Sequence, residues 1–171
     1  MKNMTGIYII DGDKILMMKR TKEDSFGEYY SIGGKIEEVE LNKPEECILR
    51  ELQEEAKISK EDIVNICLKY IAFRNTGKLI TQNYLFFAYL KNKNIILPAC
   101  NEGIFEWVSI EDVFNINLPA TSRACLEHYF EIGNRDNSVY MAAGTNVSGY
   151  GEYVFTELSE FGLIKKKSKI I

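Results

Sequence analysis

Gly33-Gly34-Lys35-Ile36-Glu37, followed after a short gap by Arg50-Glu51-Leu52-Gln53-Glu54-Glu55-Ala56-Lys57-Ile58, decides how this chain folds and where its chemistry lies. The second segment reads as the end of a helix. Asn42 is its expected N-cap, Pro44 stands in the first turn where its missing N–H costs nothing, and Glu45 completes a capping box. The helix is expected to run to about Ala56. Residues on a helix advance by about 100°, so Glu51, Glu54 and Glu55 share one arc while Ile48, Leu49 and Leu52 occupy the next. The apolar stripe can anchor the helix on a sheet and hold the three carboxylates in place. Glutamates in this number also suit a solvated surface helix. Two like charges about 4 Å apart repel by about 1 kcal/mol in water and about 4 kcal/mol at a protein-surface dielectric, so three on one face favour a bound cation. Oxygen-only ligation selects a hard ion, Mg2+ or Mn2+, over zinc.

Outward from the helix, the chain reads mostly as strands. Thr5 to Ile10 and Lys14 to Lys19 form a hairpin about Asp11-Gly12-Asp13. Ser25 to Gly34 is an aromatic loop with a short strand near Tyr29 to Ile32. Ile63 to Arg74 and Lys78 to Leu90, split by Asn75-Thr76-Gly77, read as an antiparallel pair. A strand at Ile104 to Val108 precedes Ser109-Ile110-Glu111-Asp112, which suggests a short capped helix, and a longer helix follows Pro119 to about Ile132. Ser138 to Ala143 and Glu152 to Thr156 read as an added hairpin. Its glycines, Gly144, Gly149 and Gly151, are not a phosphate loop, because that loop needs Lys-Ser/Thr directly before a helix and here a strand follows. The expected organisation is a single domain over 1–171, with a core at 1–135, the hairpin at 136–160 and a basic tail at 161–171.

Composition narrows the function. The chain has 171 residues, 46% hydrophobic and 27% charged, enough for one ordinary globular core. Its formal net charge of -4 argues against polymeric nucleic acid, whose binding needs clustered Lys and Arg. The basic run Lys165 to Lys169 is read as a solvated tail, with a weak anion-binding tail as the functional alternative. No apolar run approaches the roughly 18 residues of a membrane span, and Met1 to Ile10 lacks a signal peptide's layout, so no membrane partner and a cytoplasmic location are expected. Cys47, Cys67, Cys100 and Cys125 are widely spaced with only His128 as a nitrogen partner, and are read as buried or half-buried apolar residues without function.

The two segments quoted first, with Glu40 between them, resemble the Nudix box, G-x5-E-x7-R-E-U-x-E-E-x-G-U with U a bulky aliphatic residue. The resemblance covers residues 34 to 58. It implies an α/β fold, the Nudix-type α/β/α sandwich with a mixed sheet, here carrying a C-terminal β-hairpin extension. It also implies hydrolysis of a phosphoanhydride bond with Mg2+ (or Mn2+). In that likeness Glu54, Glu55 and the Gly33 carbonyl hold metal, Arg50 orients Glu51, and Glu51 is the general base or a ligand of a second metal. Glu102, before the Ile104 strand, is the best-placed further carboxylate, with Glu106 its competitor.

This sequence departs from the box in three places. Nine residues instead of seven separate Glu40 from Arg50, so that Glu40 or Asn42 could fill the signature position; Lys57 replaces a glycine, implying a different turn at the helix end; and Ile32 replaces a proline common in the family. Lys35, Arg20, Arg74, Phe26 and Tyr29 are candidate substrate contacts, the aromatics serving either to stack on a base or as core. Glu106-Trp107-Val108-Ser109 and Pro119 to His128 resemble small Nudix nucleotide pyrophosphatases, which makes a nucleoside triphosphate, oxidised ones included, the first-choice substrate. ADP-ribose, a nucleotide sugar or a dinucleotide is the runner-up. A non-catalytic nucleotide-binding module and a homodimer paired through the added hairpin remain as other kinds of reading.

Overall fold

The computed structural model describes residues 1–21, 27–75, 77–91, 95–99, 102–144 and 152–158. Phe26, Thr76, Cys100, Gly149, Gly151 and the basic run Lys165 to Lys169 therefore lie outside the described residues. Eight strands and two helices follow in the order β1 (Lys2–Asp11), β2 (Lys14–Arg20), β3 (Tyr29–Tyr30), α1 (Pro44–Ala56), β4 (Ile63–Asn75), β5 (Ile80–Leu90), β6 (Gly103–Ser109), α2 (Ala120–Glu131), β7 (Val139–Gly144) and β8 (Tyr153–Leu158).

β1 is the spine of one mixed sheet ordered β3-β2-β1-β5-β4-β7-β8, with β6 paired to β2. It runs antiparallel to β2 about the Gly12 turn, where φ is +60°, and parallel to β5 from Lys2 to Ile10. Alternation along β1 divides the core. Ile7 and Ile9 face α1, packing with Ile48, Leu52 and Ala56 of that helix, while Tyr8 and Ile10 face α2, packing with Cys125, Leu126 and Tyr129. Phe87 stacks on Tyr129 with ring centroids 3.6 Å apart. Helix, sheet and helix thus form the expected sandwich. The added hairpin is also as expected, and it joins the sheet by parallel pairing of β7 with β4. No described helix is long and apolar enough to cross a membrane.

Four local expectations need correction. Asn42 does not cap α1: it sits at φ 69°, and Lys43 precedes the helix without a side-chain cap. The capping geometry lies earlier, where Glu37 N–H donates to Glu40 Oε2 at 3.0 Å in a 3-10 turn. Glu40 is drawn inward there, and Asn42, a residue that tolerates the left-handed region, turns the chain back into the helix. Ile110 to Asp112 forms turns rather than a helix, because Ser109 is held as the last residue of β6 opposite Lys14 and the Ile110 N–H is taken by the Asp13 carbonyl at 2.8 Å. Cys67 is exposed, beside a bulge in β4, while Cys47 and Cys125 are buried as expected.

The fourth correction concerns Lys57. It adopts the left-handed conformation itself, at φ 56° and ψ 26°, with its N–H on Leu52 O, so the end of α1 keeps the shape a glycine would give it. A non-glycine residue there costs about 1–2 kcal/mol. Lys57→Gly should therefore raise stability by about 1 kcal/mol after the added chain entropy of glycine, a Tm gain of about 2–4 °C. A calorimetric scan showing an unchanged or lower Tm would contradict the strain.

Candidate active site

The box residues meet where the Gly33-Gly34 strap crosses β1 and the last turns of α1. Thr5 N–H donates to Gly34 O at 2.8 Å, and Ile7 pairs with Ile32 through two backbone hydrogen bonds. A Cβ on Gly33 would strike the Thr5 carbonyl and come within 2.8 Å of Gly6 Cα; one on Gly34 would strike the Glu51 carboxylate. Two glycines are required because backbone lies on backbone on one side and under a carboxylate on the other. Gly33 N–H reaches Glu55 Oε2 at 3.4 Å.

Arg50 organises the acids. Its Nε and Nη2 clasp Glu40 at 2.6 and 3.0 Å, while Nη1 meets Glu51 Oε1 and Glu54 Oε2, each at 3.0 Å. Glu40, not Asn42, is therefore the partner of Arg50. Glu40 is buried, and the Arg50 guanidinium holds its carboxyl down at about pKa 2. Arg50 is in turn held protonated, chiefly by Glu40. Beneath this clasp lies Cys47, 3.6 Å from Arg50 Nη2 and 3.3 Å from the buried Thr5 hydroxyl.

Glu51 and Glu55 sit deeper than Glu54, whose side chain is 59% exposed against 13% for Glu51. Burial pushes the pKa of Glu51 up. It pushes Glu55 further, to about 7, reinforced by the negative charges of Glu102 and Glu51 and opposed by the Gly33 N–H. Glu102 also lies 3.9 Å from Arg20, which stacks at 4.4 Å on the Tyr30 ring.

The Nudix domain model matches residues 2–129. The chain belongs to the Nudix family. It is a Nudix hydrolase of the pyrophosphatase type. Solved structures of the same fold include a MutT protein from Bacillus halodurans, 21% identical over 91% of this chain and 97% of that one, with a TM-score of 0.66. An Ap4A hydrolase from C. elegans is 16% identical, covering 80% of this chain and 100% of its own, with a TM-score of 0.62. An ADP-ribose pyrophosphatase from Streptococcus suis, also 16% identical, covers 83% and 98% with a TM-score of 0.53.

The Nudix fold brings together most residues singled out from the sequence. Arg50, Glu51 and Glu54 share ion pairs, Glu55 meets Gly33, and Glu102 and Arg20 flank Glu55. Glu106 is separated from them: it faces the α2 side of β6 opposite Met17 and accepts the Tyr29 hydroxyl at 3.0 Å. Tyr29 itself is part of the core on that side. Arg74 lies there too, two residues beyond Ala72 and close to Tyr153, and Lys35 is exposed. Cys47, read from the sequence as a residue without function, was missed there. The spacing of Cys47 three residues before Arg50 was a legible signal, since such pairs are neighbours on a helix.

Nudix hydrolases generally use divalent metals, and the acids here suit one by donor chemistry: oxygens only, with Glu55 raised to about 7 by burial and then by the charges of Glu102 and Glu51. Among the described residues, no three His, Cys, Asp or Glu side chains close around one point.

The clasp sets a pH dependence. Glu40 titrates near 2 in the folded chain against an ordinary value of 4.5, so its contribution is complete above about 4.5 and is lost as pH falls from there through about 2. Glu40→Gln should cost on the order of 1–3 kcal/mol at neutral pH. The gap from wild type should shrink below pH 4.5 in urea titrations, and a gap of constant size would contradict the ion pair's role.

Proposed function

We propose that this Nudix hydrolase cleaves a phosphoanhydride bond in a nucleoside diphosphate-linked compound, using Mg2+ (or Mn2+), and that its first-choice substrate is a nucleoside triphosphate, released as monophosphate and pyrophosphate. The observation that carries the reading is the Glu40–Arg50–Glu51 relay. A bidentate ion pair fixes one edge of the guanidinium, and the other edge holds Glu51 at 3.0 Å over the glycine strap. A half-buried carboxylate with a raised pKa and one fixed charged partner is suited to accept a proton.

In this reading Glu54, Glu55 and the Gly33 carbonyl hold the cation, with Glu102 as a further carboxylate. The cation supplies charge neutralisation on the anhydride oxygens. Glu51 takes a proton from water as the new bond to phosphorus forms and the anhydride P–O bond breaks, and Arg50 keeps its carboxylate oriented. Glu54 is the outermost of the acids and can exchange Arg50 for a cation with least disturbance to the fold. Arg20, beside Glu102 on the α1 side of the sheet, is better placed to meet a phosphate than Arg74. Lys35, on the exposed arm of the strap, remains a second candidate for that contact.

A second substrate reading, an ADP-ribose, nucleotide-sugar or dinucleotide pyrophosphatase, draws support from the Ap4A hydrolase and ADP-ribose pyrophosphatase among proteins of similar fold. A phosphate-release screen over triphosphates, dinucleotides and nucleotide sugars, with and without Mg2+, separates the two. Glu54→Gln should cut turnover of the best substrate by several orders of magnitude while leaving the circular dichroism spectrum and Tm near wild type, because α1 packs through Ile48, Leu52 and Ala56. Near wild-type turnover by that variant, or full activity in a chelator, would sink the assignment.

A further inference from the structure

The two helices do not cover the sheet equally far. The registers of β4, β7 and β8 place Tyr70, Tyr140 and Phe155 on the α2 side, where they pack around His128. The opposite side of the same three strands carries Ile71 and Phe73 from β4, Met141 and Ala143 from β7, and Val154 and Leu158 from β8. None of these six is buried: Val154 is 57% exposed and Leu158 41%, and the other four are partly exposed. Thr156, opposite Met141, is their polar neighbour. The one acid of β8, Glu157, lies on the α2 side opposite Tyr140, where the Ser138 hydroxyl donates to it at 2.7 Å.

We propose that this uncharged side of β4, β7 and β8 is an interface on which a second copy of the chain packs face to face. A two-fold axis brings the same patch against itself, so no like charges are opposed and none is stranded without a partner. A strongly charged partner would find no counter-charge on the patch. Twisted sheets pack face to face about 10 Å apart with side chains interdigitated, which suits the mixture of large Phe73 and Met141 with small Ala143. Three strands about 4.8 Å apart and six residues long give a footprint of about 300 Å² per copy. With side-chain relief and the adjoining Tyr84 of β5, the pair would bury on the order of 1,000 Å², the lower bound of a specific interface. An interface of this size makes a concentration-dependent association, and it tightens with salt, which screens the net charge of -4 on each copy.

Sedimentation velocity on the full chain from about 1 to about 200 µM tests this over the range in which an interface of this size dissociates. A dimer fraction rising with concentration and with salt is expected. Met141→Glu should weaken association at least tenfold, and an equimolar mixture of Met141→Glu with Met141→Lys should restore it as a heterodimer. Thermal melting at the lowest concentration establishes that each variant folds; if Met141→Glu does not, Val154→Lys on β8 serves instead. Wild-type chain that remains monomeric throughout, as would follow if residues 159–171 or another protein covered this side, overturns the proposal. So does a folded Met141→Glu variant that dimerises like wild type.

Discussion

Arg50 is the residue on which the site depends. One planar cation reaches three carboxylates, from the turn before α1 and from α1 itself, and without it Glu51 and Glu54 would repel each other on adjacent turns of one helix. The bidentate bond to Glu40 matters because it is buried and doubly hydrogen-bonded, so the guanidinium has no freedom to leave. Burial raises the pKa of Glu51 while Arg50 opposes the rise, so its proton affinity reflects that balance.

That constraint requires a rigid floor, which β1 provides. Its alternating side chains belong to both core layers, while its backbone takes the glycine strap on one edge and β5 on the other. Contact at this closeness leaves no room for a Cβ at Gly33 or Gly34. The acids of α1 are thereby fixed against backbone atoms rather than against side chains that could change rotamer. Cys47 and Thr5 fill the space under the clasp with weakly polar groups: the Cys47 sulfur accepts from Arg50 and shares a hydrogen bond with the Thr5 hydroxyl.

The hairpin beyond the Nudix match is joined to this framework by a buried polar and aromatic cluster. Lys69, 2% exposed, donates to the Asp136 carbonyl at 2.8 Å and carboxylate at 3.2 Å, Tyr140 donates to the same carboxylate at 2.6 Å, and Tyr70 meets His128 at 2.9 Å. The attachment is one-sided. It orders the α2 face of β7 and β8 and leaves their other face apolar and partly exposed, which is the physical basis of the proposed self-association.

The strands, the position of α1 and the identity of its acids were legible in the chain because they follow from short-range rules, helical spacing, turn residues and strand alternation, while the family and its sandwich were legible only through the likeness of one dense motif to the Nudix box. The sequence did not determine whether Glu40 or the amide Asn42 would stand at the signature position, since a nine-residue gap is compatible with either until burial of one of them is known. It separated Glu102 from Glu106 only by plausibility, whereas the fold holds Glu106 on the α2 side of β6 and leaves Glu102, ahead of that strand, beside Arg20 and Glu55. Lys57 showed that a left-handed helix end can be kept against local preference when tertiary packing holds it. Ser109 to Asp112 showed the reverse, a helix signal overruled where Ser109 is paired in β6 with Lys14 and Ile110 bonds to Asp13. In each of these cases the deciding contact joins residues far apart in the chain or depends on what surrounds them, and only the folded structure fixes such contacts.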